Sequence, residues 1–217
     1  MSFTGFADFE IETPAARVHG LRGGEGPPLL LIQGATPARD LWAGVARRLC
    51  ASHTVIALHP ADAGELATHR TLAASQADVM ASLGFDAFMV CAHGEGARVA
   101  QRLALDHPAR IERMMVLDIT PTLPGNMADD AGGDAATPDN VHARIDAERG
   151  RRIVCPVRVL WAAGHDTAPP SDGPLEAWRR VARDTSGRAL PVTGCVPREA
   201  PEDLFDEMRR FFDTRAC

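Results

Sequence analysis

The chain has 217 residues, of which 45% are hydrophobic, and a formal net charge of -6 with basic and acidic residues mixed along it. This charge pattern argues against nucleic acid and against an anionic membrane surface as partners. The five cysteines are widely spaced without a CxxC pair, so the sequence suggests neither a disulfide framework nor a zinc site, and no metal or other cofactor is expected.

Short apolar runs alternate with helical patterns, as in a parallel sheet covered on both faces. The predicted elements are, in chain order, the antiparallel strands FADFEIET and ARVHGLRGG, strand PPLLLIQG, helix RDLWAGVARRLCAS, strand HTVIALHP, helix TLAASQADVMASLG, strand FDAFMVCAHG, helix GARVAQRLALDHP, strands RMMVLDITP and CPVRVLWAAG, and helices GPLEAWRRVAR and APEDLFDEMRRFFDTR. We therefore predict one α/β domain over residues 1–217, with a mostly parallel central sheet and helices on both faces.

One segment interrupts this alternation. Residues 121–140 are rich in Gly, Ala, Asp and Pro and carry almost no apolar periodicity, which predicts a surface loop. We predict a loop and a short helix over residues 121–150.

No apolar run approaches the roughly 18 residues of a membrane span, and the first ten residues lack an export signal. A cytoplasmic location is therefore expected.

The strand FDAFMVCAHG ends in a turn with small residues at Ala92 and Gly96, and a helical pattern follows at once. A strand, such a turn and a helix form the nucleophile elbow of α/β-hydrolases, which presents a catalytic side chain at its centre. The central residue here is Gly94, which has no side chain. Shifting the centre to His93 or Glu95 would put the other of these two residues at a flanking position that must be small.

Beyond this turn, the chain resembles the haloacetate (fluoroacetate) dehalogenase branch of the α/β-hydrolases. The resemblance is carried by AHGEGARVAQRLALDHP and VLDITPT, and it continues in FEIETPAARVHGLRGGEGPPLLLIQG, CPVRVLWAAG and SGRALPVTGCVPREAPEDLFDEMRRFF. It covers most of the chain. The resemblance implies the α/β-hydrolase fold, with a site at the carboxyl edge of the sheet.

The resemblance also assigns catalytic positions. In the family, an elbow aspartate attacks the carbon that bears the halogen, and a histidine oriented by a second aspartate activates water to hydrolyse the ester intermediate. The nucleophile position corresponds to Gly94 and the histidine position to Gly194, so both reactive side chains are missing. The second aspartate corresponds to Asp118 and is kept. Dehalogenation by the family mechanism is therefore not expected.

Substrate-binding positions follow from the same resemblance. Of the two family arginines that hold the substrate carboxylate, one corresponds to Glu95, with its charge reversed, and the other to Arg98. Gln33 and Gly34 stand at the oxyanion loop of the family. The family's cap domain, which covers the site, is absent here or reduced to the loop and short helix of residues 121–150. We take Arg98, Gln33 and Gly34 as substrate-binding candidates.

The catalytic candidates that remain are Asp118, Glu95 and His93, and each also has a structural interpretation. His93 is the second residue of the turn, Glu95 suits the positive end of a helix, and Asp118 can cap a loop. Other residues near the carboxyl edge of the sheet have structural interpretations as well. His59 and His165 are interpreted as loop histidines, Asp166 as an acid without a histidine partner, and Cys195 as a buried small residue.

Three functions remain open from the sequence. The first is a non-hydrolytic pseudoenzyme that binds a small-molecule ligand or a protein partner, and an apolar face left by the cap would favour a homo-oligomer. The second is an acid-base enzyme, such as a lyase, isomerase or cyclase, that uses Asp118, Glu95 or His93 without a covalent intermediate. The third is a hydrolase with a different nucleophile, for which Cys195 is a candidate.

Overall fold

The computed structural model describes residues 5–14, 17–34, 38–59, 68–124, 137–164 and 173–213. The candidates His165 and Asp166 and residues 125–136 of the predicted loop lie outside this part of the chain. The strands are β1 (Ala7–Glu12), β2 (Arg17–Gly23), β3 (Pro28–Ile32), β4 (Thr54–Leu58), β5 (Phe88–His93), β6 (Ile111–Leu117), β7 (Val157–Ala162) and β8 (Thr185–Leu190). The helices are α1 (Ala38–Leu49), α2 (His69–Ser82), α3 (Glu95–Asp106), α4 (Pro138–Glu148), α5 (Gly173–Val181), α6 (Val196–Glu199) and α7 (Pro201–Phe212).

All eight strands form one sheet in the order β1-β2-β4-β3-β5-β6-β7-β8. The first two strands pair antiparallel, and β2 also runs antiparallel to β4. The six strands from β4 to β8 in this spatial order, β4-β3-β5-β6-β7-β8, are parallel to one another. The predicted α/β fold with a mostly parallel sheet is therefore confirmed.

The central strands are apolar on both faces because each face packs against helices. Along β5, Phe88, Val90 and Ala92 belong to one core cluster, whereas Met89 and Cys91 belong to the other. The first cluster includes side chains of α2, α3 and α5, and the second includes side chains of α1, α6 and α7. The near-continuous apolar runs of the sequence thus reflect alternate residues buried on opposite sides.

Two elements depart from the expectations. The parallel strand β8 was not among the predicted strands, because its sequence TSGRAL has one buried side chain, at Leu190, and lies at the sheet edge. The short helix α6 also lies in a stretch without a helical pattern. Within residues 121–150, the described part contains α4, and the division of this segment into a loop and a short helix in place of a cap stays a prediction.

The C-terminal helix α7 is fixed to the edge of the sheet by a buried carboxylate. Glu207 lies 2.7 Å from Arg158 on β7 and 3.0 Å from Arg188 on β8, and its side chain is 5% exposed. Burial by itself opposes ionisation of Glu207. The hydrogen bonds and charges of Arg158 and Arg188 outweigh burial, so the pKa of Glu207 lies below its ordinary value.

We predict that Glu207→Gln lowers the free energy of unfolding by about 1–3 kcal/mol at neutral pH, because it removes charge-assisted hydrogen bonds from two arginines. A carboxyl group whose pKa is lower in the folded state stabilises the fold above its unfolded pKa of about 4.3, and this contribution is lost as the pH falls further. The difference between wild type and variant should therefore shrink below that pH in urea unfolding.

A matched control for this prediction lies on the same helix. Glu202 pairs with Arg48, but its side chain is 78% exposed, so Glu202→Gln should change the free energy of unfolding by no more than about 0.5 kcal/mol. A Glu207→Gln effect that stayed constant through the acidic range would show that the carboxylate charge is not its cause.

Candidate functional site

The turn between β5 and α3 has Gly94 at its apex. The backbone of Gly94 has φ 54° and ψ −138°, a conformation that residues other than glycine rarely adopt. Its N–H donates to the carbonyl oxygen of Leu117 at 3.1 Å, and its own carbonyl accepts from the N–H of Ala97 at 2.8 Å. A Cβ atom built on Gly94 would meet none of the described residues within 4 Å. The turn is therefore formed and held by hydrogen bonds, and the described part of the chain leaves the space at this Cβ position open.

The end of β3 approaches this turn closely. A Cβ atom on Gly96 would lie 2.8 Å from the backbone carbon of Gln33, and one on Gly34 would lie 3.2 Å from Cβ of Glu95. The side chain of Gln33 is engaged within the fold, because its oxygen accepts from Trp42 Nε1 at 3.2 Å and its amide nitrogen donates to the carbonyl oxygen of Leu58. A substrate-binding role for Gln33 and Gly34 stays a prediction.

Two of the three catalytic candidates meet beside the turn, together with a residue that the sequence analysis had placed among the structural ones. His93 Nε2 lies 3.2 Å from Asp118 Oδ2 and 3.5 Å from Cys195 Sγ. These three side chains come from the end of β5, the residue after β6 and the residue before α6. We call them the His93 cluster.

The carboxylate of Asp118 is fixed by the backbone. Its Oδ1 accepts from the N–H of Ala162 at 3.1 Å, and its Oδ2 accepts from the N–H of Val196 at 2.8 Å. Asp118 has φ 57°, the left-handed conformation that aspartate tolerates better than most residues. The loop-capping interpretation of Asp118 therefore describes its contacts, and the contact with His93 is added to them.

The His93 cluster does not have the geometry of a Cys-His-Asp triad. In a triad, the imidazole uses one nitrogen for the nucleophile and the other for the acid. Here both contacts of His93 are made by Nε2. Burial raises the pKa of the Cys195 thiol, and although the backbone N–H of Arg198 partly opposes this, the charge of Asp118 raises it further. Cys195 is thus a thiol at neutral pH and a poor nucleophile.

Glu95, the third catalytic candidate, belongs to a different group of charges. Its carboxylate lies 3.6 Å from His69 Nε2 and 3.0 Å from the guanidinium of Arg98. The hydrogen bond with His69 lowers the pKa of Glu95, and the charge of Arg98 acts in the same direction against the effect of burial. Arg98 itself is only 7% exposed. The side chain of Glu95 is 56% exposed, so this ion pair lies at the surface end of a buried guanidinium. A substrate-binding role for Arg98 stays a prediction.

The space beside Gly194 is occupied by a carboxylate. Glu199 accepts hydrogen bonds from the backbone N–H groups of Thr193 and Gly194 at 3.1 and 3.2 Å. A Cβ atom on Gly194 would lie 2.3 Å from Glu199 Oε1. No sequence pattern marks Glu199 as a site residue, because its contact with Thr193 and Gly194 depends on the path of the loop that leads into α6. His59, the remaining histidine candidate, follows β4 and donates its backbone N–H to His19 at 2.9 Å.

Two cavities lie near α4. The smaller, of about 20 Å³, is lined by polar side chains that include His69, Arg102 and His142, and it has room for about one water molecule. The larger, of about 280 Å³, is lined by apolar side chains that include Leu105 and Leu123 and by several polar side chains.

No helix among the described residues is long and apolar enough to cross a bilayer.

The sheet order and the turn between β5 and α3 define the α/β-hydrolase fold, and this chain has that fold. It is similar to a crystal structure of a protein from Nostoc sp. PCC 7120 described as an α/β-hydrolase, with a TM-score of 0.85 and 27% identity over 99% of this chain and 100% of that one. The chain therefore combines the α/β-hydrolase fold with glycine at the apex of this turn.

Two curated relatives match part of the chain. A fluoroacetate dehalogenase from Burkholderia sp. is 34% identical over 131 residues, which cover 55% of this chain and 43% of the relative. A soluble epoxide hydrolase from Corynebacterium sp. (strain C12) is 31% identical over 113 residues, covering 49% of this chain and 40% of the relative. The chain thus matches less than half the length of either relative. No protein-family model matches it.

We predict that Gly94→Ala lowers the free energy of unfolding by about 1–3 kcal/mol, because only backbone strain opposes the added Cβ. Gly150→Ala is a matched control, since Gly150 also has positive φ, at 60°, and open space around its Cβ position, and its loss should be similar. Gly96→Ala should cost more than either, because the backbone of Gln33 must move. Urea unfolding measures all three, and a Gly94→Ala loss as large as that of Gly96→Ala would show that the space above the turn is filled.

Proposed function

We propose that the chain is a non-hydrolytic protein of the α/β-hydrolase fold that binds a small-molecule ligand. The observation that carries this proposal is Gly94 at the apex of the turn from which hydrolases of this fold present their nucleophile. Loss of the nucleophile or base in such a catalytic unit removes on the order of 10⁴–10⁶-fold of the rate. The covalent route of the haloacetate dehalogenases is therefore closed to this chain.

The surroundings of Gly194 support the same proposal. By the resemblance, the family's catalytic histidine would stand here, and the carboxylate of Glu199 lies where its Cβ would have to be. A histidine at this position would require the end of the exposed Glu199 side chain to move. Nucleophile and base are thus both absent in this proposal, and another side chain takes the space at the second position.

Small-molecule binding is supported by the cavity beside α4. Its volume of about 280 Å³ is close to the lower end of the range for ligand pockets, about 300 Å³. Leu105, Leu123 and Ala143 supply apolar surface, and Asp146 and Arg151 supply charges at its wall. Because α4 lies between β6 and β7, where the family has its cap, we propose that the segment of residues 121–150 stands in place of the cap. Of its described residues, Thr122, Leu123 and Pro124 and side chains of α4 line this pocket.

A homo-oligomer, a protein partner and a cytoplasmic location stay predictions from the sequence. Among the described residues, Val154 is the one large apolar residue that is well exposed to solvent, with 47% of its surface accessible. This part of the surface therefore offers little to an apolar docking face, and a small ligand is the better supported partner.

Acid-base catalysis without a covalent intermediate is the second candidate function. It is favoured by the contact of 3.2 Å between His93 Nε2 and Asp118 Oδ2. An imidazole held by a carboxylate can donate or accept a proton, and general acid-base catalysis needs only one or two such groups. In this function His93 would exchange a proton with the ligand, and Asp118 would hold the imidazole of His93 in place.

We predict that the purified chain releases no fluoride from fluoroacetate and does not hydrolyse a terminal epoxide or a short-chain ester above the protein-free rate. Fluoride-electrode and chromatographic assays measure these activities. His93→Gln and Cys195→Ser, checked for folding by circular dichroism, serve as matched variants. Turnover by the wild-type chain that either variant abolishes would contradict the proposal and identify an enzyme that works through the His93 cluster.

The binding part of the proposal has its own test. Fluorine NMR should show line broadening of 4-fluorobenzoate, a small aromatic carboxylate with an apolar ring and one negative charge, when the chain is added. Ala147 lines the cavity and is exposed, so Ala147→Trp should fill the cavity without disturbing the core and abolish the broadening. Absence of broadening with the wild type, or its persistence in Ala147→Trp, would count against this pocket.

A further inference from the structure

The donor atoms of the His93 cluster converge on one point. His93 Nε2, Asp118 Oδ2 and Cys195 Sγ belong to a group whose ligand atoms all lie within 4.8 Å of one another. The proposed binding function does not use these side chains. Imidazole nitrogen, carboxylate oxygen and thiolate sulfur are the three ligand types that zinc takes in proteins.

The two separations from His93 Nε2 match a tetrahedral ion, and the third, between Asp118 Oδ2 and Cys195 Sγ, is no more than 4.8 Å. With bonds of about 2.3 Å to sulfur and about 2.0–2.1 Å to nitrogen and oxygen, tetrahedral angles put nitrogen about 3.6 Å from sulfur and about 3.3 Å from oxygen. The observed separations are 3.5 Å from His93 Nε2 to Cys195 Sγ and 3.2 Å from His93 Nε2 to Asp118 Oδ2. Little movement is therefore needed to bring all three atoms to one cation.

Hydrogen bonds alone satisfy this arrangement poorly. The imidazole Nε2 carries at most one hydrogen, and that hydrogen can point well at Asp118 or at Cys195 but not at both. If the thiol donates to Nε2 instead, the nitrogen lacks a hydrogen and faces the carboxylate oxygen lone pair to lone pair. A cation between the three atoms removes this conflict, because every atom then directs a lone pair at it.

The structure also prepares the ligands and leaves a route to them. The backbone N–H groups of Ala162 and Val196 hold the Asp118 carboxylate in place at 3.1 and 2.8 Å, as outer-shell hydrogen bonds do in metal sites. The side chains of His93 and Asp118 are 16% and 9% exposed, and Cys195 is half-buried. None of the three side chains is therefore completely enclosed by the described residues, and three protein ligands would leave a tetrahedral ion one further position.

We propose that His93, Asp118 and Cys195 bind one divalent cation of the zinc class, with the fourth coordination position open. The mixed nitrogen, oxygen and sulfur set favours zinc over magnesium or calcium, which prefer oxygen ligands. On binding, the thiol proton of Cys195 passes to solvent, and the dication balances the thiolate and the Asp118 carboxylate. This site goes beyond the proposed function, and its test does not depend on any activity.

The test is titration of the chelator-treated full chain with Co²⁺, a spectroscopic substitute for zinc. We expect one Co²⁺ per chain, visible absorption of tetrahedral intensity and a near-ultraviolet thiolate-to-cobalt charge-transfer band, all reversed by one equivalent of Zn²⁺. Failure to bind stoichiometric Co²⁺, or a weak octahedral spectrum, would overturn the proposal.

Variants show whether the ion is at this site. Cys195→Ser should abolish the charge-transfer band. Loss of an outer-shell partner weakens metal affinity by about 10–100-fold, and Cys195→Ser and His93→Gln should each weaken Zn²⁺ affinity by more than this. Cys50→Ser removes another half-buried thiol and should leave the band and the affinity unchanged. A band that survives in folded Cys195→Ser, or unchanged affinity in His93→Gln, would place the metal elsewhere and overturn the proposal.

Discussion

The carboxylate of Asp118 joins the parts on which the site depends. It accepts hydrogen bonds from the N–H groups of Ala162 and Val196 and contacts His93, so one side chain connects the ends of β5, β6 and β7 with the start of α6. An unpaired buried N–H costs about 1–3 kcal/mol, which gives Asp118 a structural reason to be present whether or not any catalysis remains. Its presence alone is therefore no sign of a hydrolase.

The turn between β5 and α3 is shaped by contacts of the backbone. Gly94 has positive φ and open space at its Cβ position, and Gly96 allows the backbone of Gln33 to approach. These features come from packing of β3, β5 and α3 against one another, so the fold maintains them even when the central residue carries no reactive group. The shape of the turn therefore does not by itself indicate a function, which must be argued from the side chains around it.

Most of the fold could be predicted from the sequence. The central strands are buried on both faces, so each of them forms a recognisable run of apolar residues. The edge strand β8 was missed, since its side chains outside Leu190 are not buried. The site was harder. Glu95 was grouped with His93 because the two are neighbours in sequence, but the start of α3 directs Glu95 to His69.

The contact between His93 and Cys195 was missed for a related physical reason. The two residues lie on distant segments, and no short spacing motif records their approach, which depends on the loop that leads into α6. The same holds for the proposed metal site, whose three donors come from three separate segments, whereas zinc motifs that can be read from sequence have paired ligands. The position of Gly94, in contrast, followed from local pattern alone.

The central claim is that no side chain at the turn can form a covalent intermediate. Intact-protein mass spectrometry after acid quenching, following incubation with fluoroacetate, an epoxide or an activated ester, tests it most directly. We predict that the mass of the chain stays unchanged with each compound. A stoichiometric mass increase that maps to the β5–α3 turn or to Cys195 would contradict the account and show that a nucleophile is present.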